Sequence, residues 1–332
     1  MTDNRSSTRE AFIDALLEIS KKNEKIVTIA ADSQSRYGEF PNLYKNRSLN
    51  VGIAEQSMIG IAAGLALSGK IPVVTAYANF LAFRAAEQIR VDIAGQNLNV
   101  KIVGTDAGFS SEWLGYTHVA LEDVAAIRSI PNIVIIDPAD YEETFAATKA
   151  MFDYNGPVYL RLRGKGKEPQ VYEKMESYKV GKGNILREGN NVAIICSGGA
   201  VHDSLSAANI LKSENIEATV IDMASIRPLD KKLILDLALK VNLIVTVEDH
   251  NVIGGLGSAV AELISENCNN VKLLRLGVKD RFGTAGTEEL LKKNFMLDDV
   301  GIAYNISEFF KKINDWRINS HENNNRVRRA GI

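Results

Sequence analysis

The sequence predicts an α/β protein of two domains, in which a mostly parallel sheet is followed by a smaller α/β unit. The chain has 332 residues, which is long for one ordinary core and suits two domains of roughly 130–170 residues. Short β-branched runs alternate with amphipathic helical stretches, a pattern typical of parallel sheets covered on both faces. A charged, glycine-containing segment at 164–191 interrupts this alternation, which restarts after it.

The first domain is predicted at 1–163. Its strands are predicted at Lys25–Ala31, Ile71–Thr75, Val100–Gly104, Ile133–Asp137 and Val158–Leu162. Its helices are predicted at Glu10–Lys22, Gln56–Ser68, Leu81–Ala94, Leu121–Ile130 and Tyr141–Tyr154. Ligands of open parallel sheets bind outside the carboxyl ends of the strands, so the loops after these strands are where a site is expected.

The segment 164–191 is predicted to be a linker with one short strand of its own, and the second domain is predicted at 192–315. The strands of that domain are predicted at Val192–Cys196, Ala218–Asp222, Leu243–Val247 and Lys272–Leu276. Its helices are predicted at Val201–Ser213, Lys231–Lys240, Gly257–Ser265 and Thr287–Asn294. Residues 316–332 are polar, contain Arg326, Arg328 and Arg329, and are predicted to be a solvated tail.

Composition narrows the class of partner. The net charge of −2 gives no reason to expect nucleic acid or an anionic membrane as a partner. No apolar run reaches the ~20 residues that span a bilayer, and the polar start of the chain lacks a signal-peptide core. The two cysteines, Cys196 and Cys268, lie far apart and form no metal or redox motif. We therefore expect a cytoplasmic protein.

Two neighbouring motifs place unusual residues after predicted strands. In NVGIAEQSM, Glu55 begins an otherwise apolar helix, where a carboxylate is already favoured by the helix dipole. In TAYANFLAF, Tyr77, Phe80 and Phe83 recur at spacing three, which at helical periodicity puts the rings on one side. Such an aromatic stripe is usually part of the hydrophobic core. Here it begins where a strand ends and a sheet opens to a ligand.

The longer runs around these motifs resemble a known family. NVGIAEQ, GIAAGLALSG and PVVTAYANFLAFRAAEQIR are similar to the pyrimidine-binding domain of transketolases. DMASIRPLD and TVEDHNVIGGLGSAV resemble the C-terminal domain of the same superfamily. The resemblance covers about Ser7 to Glu308. It implies the thiamine-diphosphate-dependent transfer of a two-carbon ketol unit from a phosphorylated ketose to an aldose.

The resemblance also implies a role for Glu55. In this superfamily a glutamate contacts the ring nitrogen of the cofactor's aminopyrimidine and shares a proton with it, and Glu55 matches that position. The cofactor supplies the difficult chemistry and the protein tunes it. Ile53, Ile59 and aromatic rings are expected to surround the carboxyl group.

Further positions match cofactor and substrate contacts of the family. Tyr77, Phe80 and Phe83 match the aromatic residues that hold the pyrimidine, and Asp32 matches an aspartate near the junction of the cofactor's rings. His118 lies in GYTH, which resembles the GPTH or GATH segment of transketolases. The histidine of that segment contacts substrate oxygens, and such a group suits proton transfer. The ordinary alternative is a structural histidine whose hydrogen bonds are all made within the protein.

Four arginines are candidates for the substrate's phosphate. Arg9 matches a phosphate-binding arginine of the family, and Arg36 falls near a position where transketolases use a serine. One of Arg161 and Arg163 should match a second such arginine. A guanidinium fork suits phosphate geometry, although a surface salt bridge is an equally ordinary use of each arginine.

Two departures from the family pattern indicate a specialised sugar. Thr105 stands where transketolases usually carry a histidine, and Leu114 stands where they usually carry an aspartate. Both missing groups normally contact sugar hydroxyls, and lost polar pairing discriminates strongly between substrates. We expect an unusual or branched phosphorylated ketose.

A third departure is an absence. No segment resembles the GDG-plus-asparagine motif that holds the metal and diphosphate in the superfamily. The run Gly254–Val260 (GGLGSAV) lacks both GxGxxG spacing and a Walker lysine, which favours a tight turn with close packing. No metal ligand is therefore predicted here. An N-terminal transketolase subunit is expected to hold the diphosphate with Mg²⁺ or another divalent metal, in an α2β2 assembly.

Three alternatives stay open at this stage. The β subunit of a 2-oxo-acid dehydrogenase has similar length, the same domain order and a similar GGLGSAV segment. A fragment like 1-deoxyxylulose-5-phosphate synthase is the second alternative. A non-catalytic binding module that has kept the fold is the third. Glu55, the three aromatic residues and His118 argue against the last one.

Overall fold

The predicted two-domain α/β class is confirmed. In the computed structural model, residues 7–164, 166 and 168–313 are described. They form one seven-stranded and one five-stranded sheet, and most strand pairs are parallel. The tail predicted at 316–332 lies outside the described residues. None of the described helices combines the length and apolar character needed to cross a bilayer.

Nearly every β segment predicted from the sequence forms a strand in the structure. The strands are β1 (Ile26–Ala30), β2 (Ser48–Asn50), β3 (Ile71–Tyr77), β4 (Lys101–Thr105), β5 (Val134–Ile136), β6 (Val158–Arg161), β7 (Asn184–Arg187), β8 (Val192–Cys196), β9 (Ala218–Asp222), β10 (Ser225–Arg227), β11 (Leu243–Asn251) and β12 (Lys272–Val278). The first sheet has the order β10-β5-β6-β4-β3-β1-β2 and the second the order β12-β11-β8-β9-β7. β10 pairs antiparallel with β5, and β7 pairs antiparallel with β9. The predicted domain limits stay predictions; β10 lies beyond residue 191 but joins the first sheet.

The helices cover both faces of each sheet. They are α1 (Thr8–Ser20), α2 (Phe40–Leu43), α3 (Glu55–Leu67), α4 (Ala86–Gln88), α5 (Asp123–Arg128), α6 (Tyr141–Asp153), α7 (Ala200–Ser213), α8 (Lys231–Ala238), α9 (Leu256–Asn267) and α10 (Glu288–Asn294). Residues 299–313 are also helical. The single helix predicted at 81–94 is wrong. Two π-helical segments, Phe80–Arg84 and Ile89–Ala94, flank the short α4. Such segments are rare and often occur at functional sites.

A buried charge cluster around Arg161 joins the two domains. Its Nε donates to Asp123 at 3.0 Å, and its Nη1 donates to Asp249 at 2.7 Å and to Asp137 at 3.3 Å. Asp249 lies on β11 of the second sheet, whereas Arg161 ends β6 of the first. Burial lowers the Arg161 pKa, but the three aspartates outweigh it and raise that pKa well above its ordinary value. The cluster therefore fixes one domain against the other.

A second buried contact between the domains is a pair of acids. Glu143 Oε1 of α6 and Asp222 Oδ1 at the end of β9 are both buried without a hydrogen-bond partner in the described part of the chain, and the two carboxyl groups interact with each other. Two buried carboxyl groups that interact favour the state in which one of them carries a proton. Backbone N–H of Ala139 donates to Glu143 at 2.8 Å, and the Tyr172 hydroxyl donates to Asp222 at 2.8 Å. Burial raises the Asp222 pKa to about 7, and burial followed by the Asp222 charge raises the Glu143 pKa well above its ordinary value.

This acid pair predicts that stability falls as the pH rises. The folded state keeps a proton that the unfolded chain loses near pH 4, so the free energy of unfolding should decrease between about pH 5 and 8. Each such proton contributes a slope of about 1.4 kcal/mol per pH unit. Glu143→Gln can donate to Asp222 without that proton, and urea unfolding at several pH values should show a shallower slope. Glu173→Gln, at an exposed position, is the control and should keep the wild-type slope.

Candidate active site

A polar cavity opens at the carboxyl ends of four strands of the first sheet. β1, β3, β4 and β6 each supply a loop or terminal residue to it, as expected for an open parallel sheet. The cavity has a volume of about 500 Å³. Its lining residues are Arg9, Ser33, Ser35, Arg36, Tyr77, Asp106, Ser110, Ser111, Trp113, Arg163, Gly164, Gly166, Glu168 and Glu288. Three of the four predicted phosphate arginines are among them.

Arg9 is a buried cation that lines the cavity. It lies in the first turn of α1, whose N-terminus is closed by a capping box between Ser7 and Glu10. The Arg9 residue is 6% exposed. Among the described residues, its guanidinium has no hydrogen-bond or ion-pair partner. Burial, and then the positive charge of Arg36, lower the Arg9 pKa. Because an unpaired buried charge is unfavourable, this arrangement favours an anionic ligand.

Arg36 is held in place by the residue that departs from the family pattern. Its Nε donates to the Thr105 hydroxyl at 2.7 Å, and its Nη2 donates to Asp106 at 3.3 Å. Its guanidinium also lies 4.3 Å from the centre of the Tyr77 ring. Thr105 is 1% exposed and is placed between Arg36 and Asp106. Thr105 therefore orients a cavity arginine, a role that sequence reasoning missed.

The two arginines of the YLRLR segment separate into different environments. Arg163 lines the cavity, pairs with Glu288 of α10, and has a buried Nε with no partner. Arg161 is 1% exposed and fully engaged with the aspartates of the interdomain cluster. The prediction that Arg161 contacts substrate is therefore wrong, because its donors are already used inside the protein. Arg163 stays the candidate of this pair.

Tyr77, Phe80 and His118 form a compact ring cluster beside the cavity. The ring centres of Tyr77 and His118 are 5.0 Å apart, and those of Phe80 and His118 are 5.2 Å apart. Tyr77 and Phe80 meet edge to face at 5.3 Å. The His118 Nδ1 lies 2.9 Å from the Thr117 hydroxyl. This cluster brings the predicted proton-transfer residue to two of the predicted pyrimidine contacts.

Phe83 does not join that cluster. Its side chain is 56% exposed, and the ring contacts of this part of the described chain connect Tyr77, Phe80 and His118. The π-helical turn at Phe80–Arg84 breaks the α-helical periodicity from which the three-ring stripe was predicted. The one-sided aromatic stripe is therefore wrong, and Phe83 faces outward.

Glu55 is buried as predicted, but its surroundings differ from the prediction. It is the first residue of α3 and its side chain is 3% exposed. Both carboxylate oxygens lie 2.9 Å from Nη1 of Arg84. Ile53, expected to shield the group, is 75% exposed. The apolar environment inferred from sequence is thus replaced by an ion pair with Arg84.

Asp32 sits in a strained backbone position just after β1. Its φ is 72°, in the left-handed region that non-glycine residues rarely adopt. Two reciprocal hydrogen bonds with Asn50 of β2 hold it: the Asp32 N–H donates at 3.2 Å, and the Asn50 amide donates to the Asp32 carbonyl at 3.0 Å. The carboxylate is exposed at the same edge of the sheet as the cavity.

The glycine segment at 254–260 packs closely, as predicted. A Cβ on Gly255 would meet a Glu248 oxygen at 2.0 Å, and one on Gly254 would meet Ala125 at 2.5 Å. The N-terminus of α9 is already occupied, because the Glu248 carboxylate accepts hydrogen bonds from the N–H groups of Leu256 and Gly257 at 2.8 and 2.9 Å. The place that a phosphate would take is therefore filled by Glu248. In the described part of the chain no group of three or more His, Cys, Asp or Glu residues could hold a metal.

Comparison with known proteins identifies the family of the chain. Residues 4–165 match the family described as Transketolase, pyrimidine binding domain, and residues 181–302 match Transketolase, C-terminal domain. A Methanocaldococcus jannaschii protein, provisionally named a transketolase C-terminal section, is 42% identical over 92% of this chain and 96% of its own length. The chain belongs to the transketolase family. Within that family it corresponds to a C-terminal section and spans nearly all of that relative.

Two further members of the transketolase family are similar along most of the chain. The 6-deoxy-6-sulfo-D-fructose transketolase subunit of Clostridium sp. (strain MSTE9) is 38% identical over 87% of this chain and 90% of its own length. A solved structure described as a split gene transketolase, inactive beta4 tetramer, is 38% identical with a TM-score of 0.83. It covers 93% of this chain and 99% of that chain. Separate C-terminal subunits therefore occur in this family.

Proposed function

We propose that this chain is the C-terminal subunit of a split transketolase. With an N-terminal subunit it would transfer a two-carbon ketol unit from a phosphorylated ketose to an aldose. The observation that carries the proposal is that one edge of the sheet unites Glu55, the Tyr77–Phe80–His118 cluster and an arginine-lined cavity. A dehydrogenase β subunit is disfavoured, because two relatives that match the chain over at least 90% of their own length are named as a transketolase C-terminal section and a transketolase subunit.

The residues around Glu55 fit the aminopyrimidine end of thiamine diphosphate. A buried carboxylate can accept a hydrogen bond from a planar heterocycle, and the Phe80 ring, which contacts the same Arg84 guanidinium as Glu55, offers a surface for that ring. Bound there, the cofactor would supply the nucleophilic carbon that takes up the two-carbon unit. This chain's part is to bind and orient the ring and to hold a proton at the Glu55 carboxylate. Asp32, at the same sheet edge, would lie near the junction of the cofactor's rings.

His118 and the cavity arginines would act on the sugar. The His118 imidazole lies beside the ring cluster and can exchange protons with substrate hydroxyls. Arg9, Arg36 and Arg163 line the cavity and present guanidinium groups to an anionic terminus of the sugar. The exposed Trp113 and Leu114 at this loop, together with Thr105, leave fewer polar partners for hydroxyl groups, which supports a specialised ketose. The sulfosugar-specific relative shows that such specialisation occurs in the family.

Arg9→Gln should raise KM selectively for substrates that carry a phosphate. Loss of a charge-assisted contact of about 1.5–3 kcal/mol corresponds to an increase of roughly 10- to 150-fold, with kcat little changed. Steady-state kinetics with a phosphorylated ketose and its unphosphorylated counterpart would measure this. Arg187→Gln, at a surface ion pair of the second domain, is the control. An equal loss for both substrates would contradict the assignment.

A partner subunit is supported by the surface that surrounds Glu55. α3 exposes Gly60, Ile61, Gly64 and Leu67, and Ile53 lies exposed just before it. Apart from the backbone of α3 itself and the adjacent residues, a Cβ on Gly60 or Gly64 would meet no atom of the described residues within 4 Å. Glycine within a helix is destabilising by about 1 kcal/mol relative to alanine, and nothing in the described chain requires it here. These features suit close approach of another polypeptide.

We further propose that this partner holds the diphosphate and Mg²⁺, and that the assembly is α2β2. Self-association of the C-terminal chains is consistent with the tetrameric form of the 38% identical relative. Both cysteines are free, Cys196 buried and Cys268 partly buried, which suits the reducing cytoplasm.

Ile61→Asp should weaken assembly without unfolding the chain. Ile61 is 39% exposed, so a charge there is tolerated in the free chain but would be desolvated in an interface. Size-exclusion chromatography with light scattering, on the chain co-expressed with an N-terminal subunit, would report the loss. Leu239→Asp is the matched control, because Leu239 is 86% exposed on the second domain. Unchanged assembly of the Ile61→Asp variant would show that this face of α3 does not contact the partner subunit.

The experiment that tests the function is reconstitution. The chain co-expressed with an N-terminal transketolase subunit is assayed for ketol transfer over a panel of phosphorylated and sulfonated ketoses, with thiamine diphosphate and Mg²⁺. Transfer that requires both chains supports the proposal. Decarboxylation of a 2-oxo acid instead of ketol transfer would contradict the proposal and favour a dehydrogenase subunit. Condensation of pyruvate with an aldose phosphate, with loss of CO₂, would favour an activity like that of 1-deoxyxylulose-5-phosphate synthase.

A further inference from the structure

Arg84 occupies the position between the two groups that a pyrimidine ring would contact. Its Nη1 donates to both oxygens of Glu55 at 2.9 Å. Its Cζ lies 4.1 Å from the centre of the Phe80 ring. Among the described residues, no other side chain donates a hydrogen bond to the Glu55 carboxylate. The guanidinium therefore closes the approach to that carboxylate.

The chemistry of a guanidinium resembles that of the ring it would exclude. It is planar, carries N–H donors at its edge, bears a delocalised positive charge and stacks on aromatic faces. A protonated aminopyrimidine has the same properties. The contact of Arg84 with Glu55 and Phe80 thus reproduces, within the chain, the edge hydrogen bond and the face contact that the heterocycle would make.

Arg84 is placed where it can leave. Its side chain is 44% exposed, whereas that of Glu55 is 3% exposed. It ends the π-helical turn Phe80–Arg84, and π-helical turns are associated with functional sites. A half-exposed cation over a buried carboxylate is a displaceable contact, because the arginine gains hydration when it swings out.

We propose that Arg84 is an internal substitute for the cofactor ring: it holds Glu55 in the free chain and is exchanged for the aminopyrimidine when the cofactor binds. This inference rests on the proposed function. It implies that part of the cofactor's binding free energy is spent on displacing Arg84. It also implies that a free C-terminal subunit keeps its carboxylate paired until the assembled site offers a replacement.

The test is cofactor affinity in the assembled enzyme. Isothermal titration calorimetry with thiamine diphosphate and Mg²⁺ is carried out on wild type, Arg84→Met, Arg84→Lys, Glu55→Gln and Arg90→Gln. Loss of a half-buried ion pair and a cation–π contact should lower the Kd of Arg84→Met about tenfold. Arg84→Lys keeps the charge without the planar fork, so its Kd should lie between those of Arg84→Met and wild type. Arg90→Gln removes a neighbouring exposed arginine and should leave Kd unchanged.

The variants separate two kinds of failure. If Glu55→Gln weakens binding while Arg84→Met leaves it unchanged or weaker, the cofactor site stands and the substitute role of Arg84 is overturned. If neither variant changes Kd, the cofactor does not bind at Glu55 and the proposed function fails with it. Circular dichroism at the titration temperature checks that each variant is folded, and tighter binding by a folded Arg84→Met supports the exchange.

Discussion

Glu55→Gln is expected to lower turnover of the assembled enzyme by about 10²–10⁴-fold, the usual range for loss of a proton-transferring group. Glutamine has nearly the shape of glutamate and can still pair with the solvent-facing Arg84, so the fold should be retained. It cannot hold a shared proton at the ring edge, which is the role proposed for this buried side chain. Steady-state ketol transfer and a thermal unfolding curve measure the two effects.

Glu87→Gln is the matched control for that substitution. Glu87 lies three residues beyond Arg84, is exposed, and forms a surface ion pair with Arg90. Its replacement should leave turnover within about twofold, because exposed pairs contribute little. Near-normal turnover of Glu55→Gln in an assembled, cofactor-saturated enzyme would remove Glu55 from the mechanism.

The sequence was sufficient for the elements that are long and strongly patterned. β1, β8 and β9 are fully buried runs of five residues and were predicted within a residue or two. β2 and β10 have only three residues each and were missed. A three-residue strand has no period of its own, and β10 exists because β5 of the other domain offers it an edge. Its pairing is a tertiary contact that local pattern cannot reveal.

For the candidate site, the sequence located the loops but not the partners within them. Glu55, Tyr77, Phe80 and His118 were found through family resemblance, and the structure brings three of them into one ring cluster. Arg84 was overlooked because its importance depends on a π-helical turn that shifts residues off the α-helical period. Thr105 departs from the family pattern in sequence, yet its use as a hydrogen-bond acceptor for Arg36 depends on the tertiary fold.

Arg161 shows why a residue's type does not decide its role. Two arginines separated by one position looked equivalent in sequence, but one of them meets Asp249, which lies 88 residues further along the chain. A contact at that separation is set by how the domains dock. Once docked, the guanidinium has three carboxylates to neutralise and no free donor for a substrate.

Arg161→Met is therefore expected to lower the free energy of unfolding by about 3–5 kcal/mol, since it leaves buried carboxylates without their cation. Asp123 and Asp249 lose their closest positive charge, and Asp137, whose pKa burial already raises to about 6, loses the charge that opposed that rise. The loss should be smaller near pH 5 than at pH 8, because protonation relieves the unpaired acids. Urea unfolding of the free chain at both pH values measures it.

Arg90→Met is the control for this substitution, because Arg90 belongs to an exposed ion pair. It should change the free energy of unfolding by less than about 1 kcal/mol. An Arg161→Met protein as stable as wild type, with a raised KM only for phosphorylated sugars, would return Arg161 to the substrate site. A destabilised protein whose residual folded fraction keeps its KM would confirm a structural role. In that case the interdomain charge cluster fixes how the second domain, which supplies Glu288 to the cavity, meets the sheet edge that carries Arg9 and Arg163.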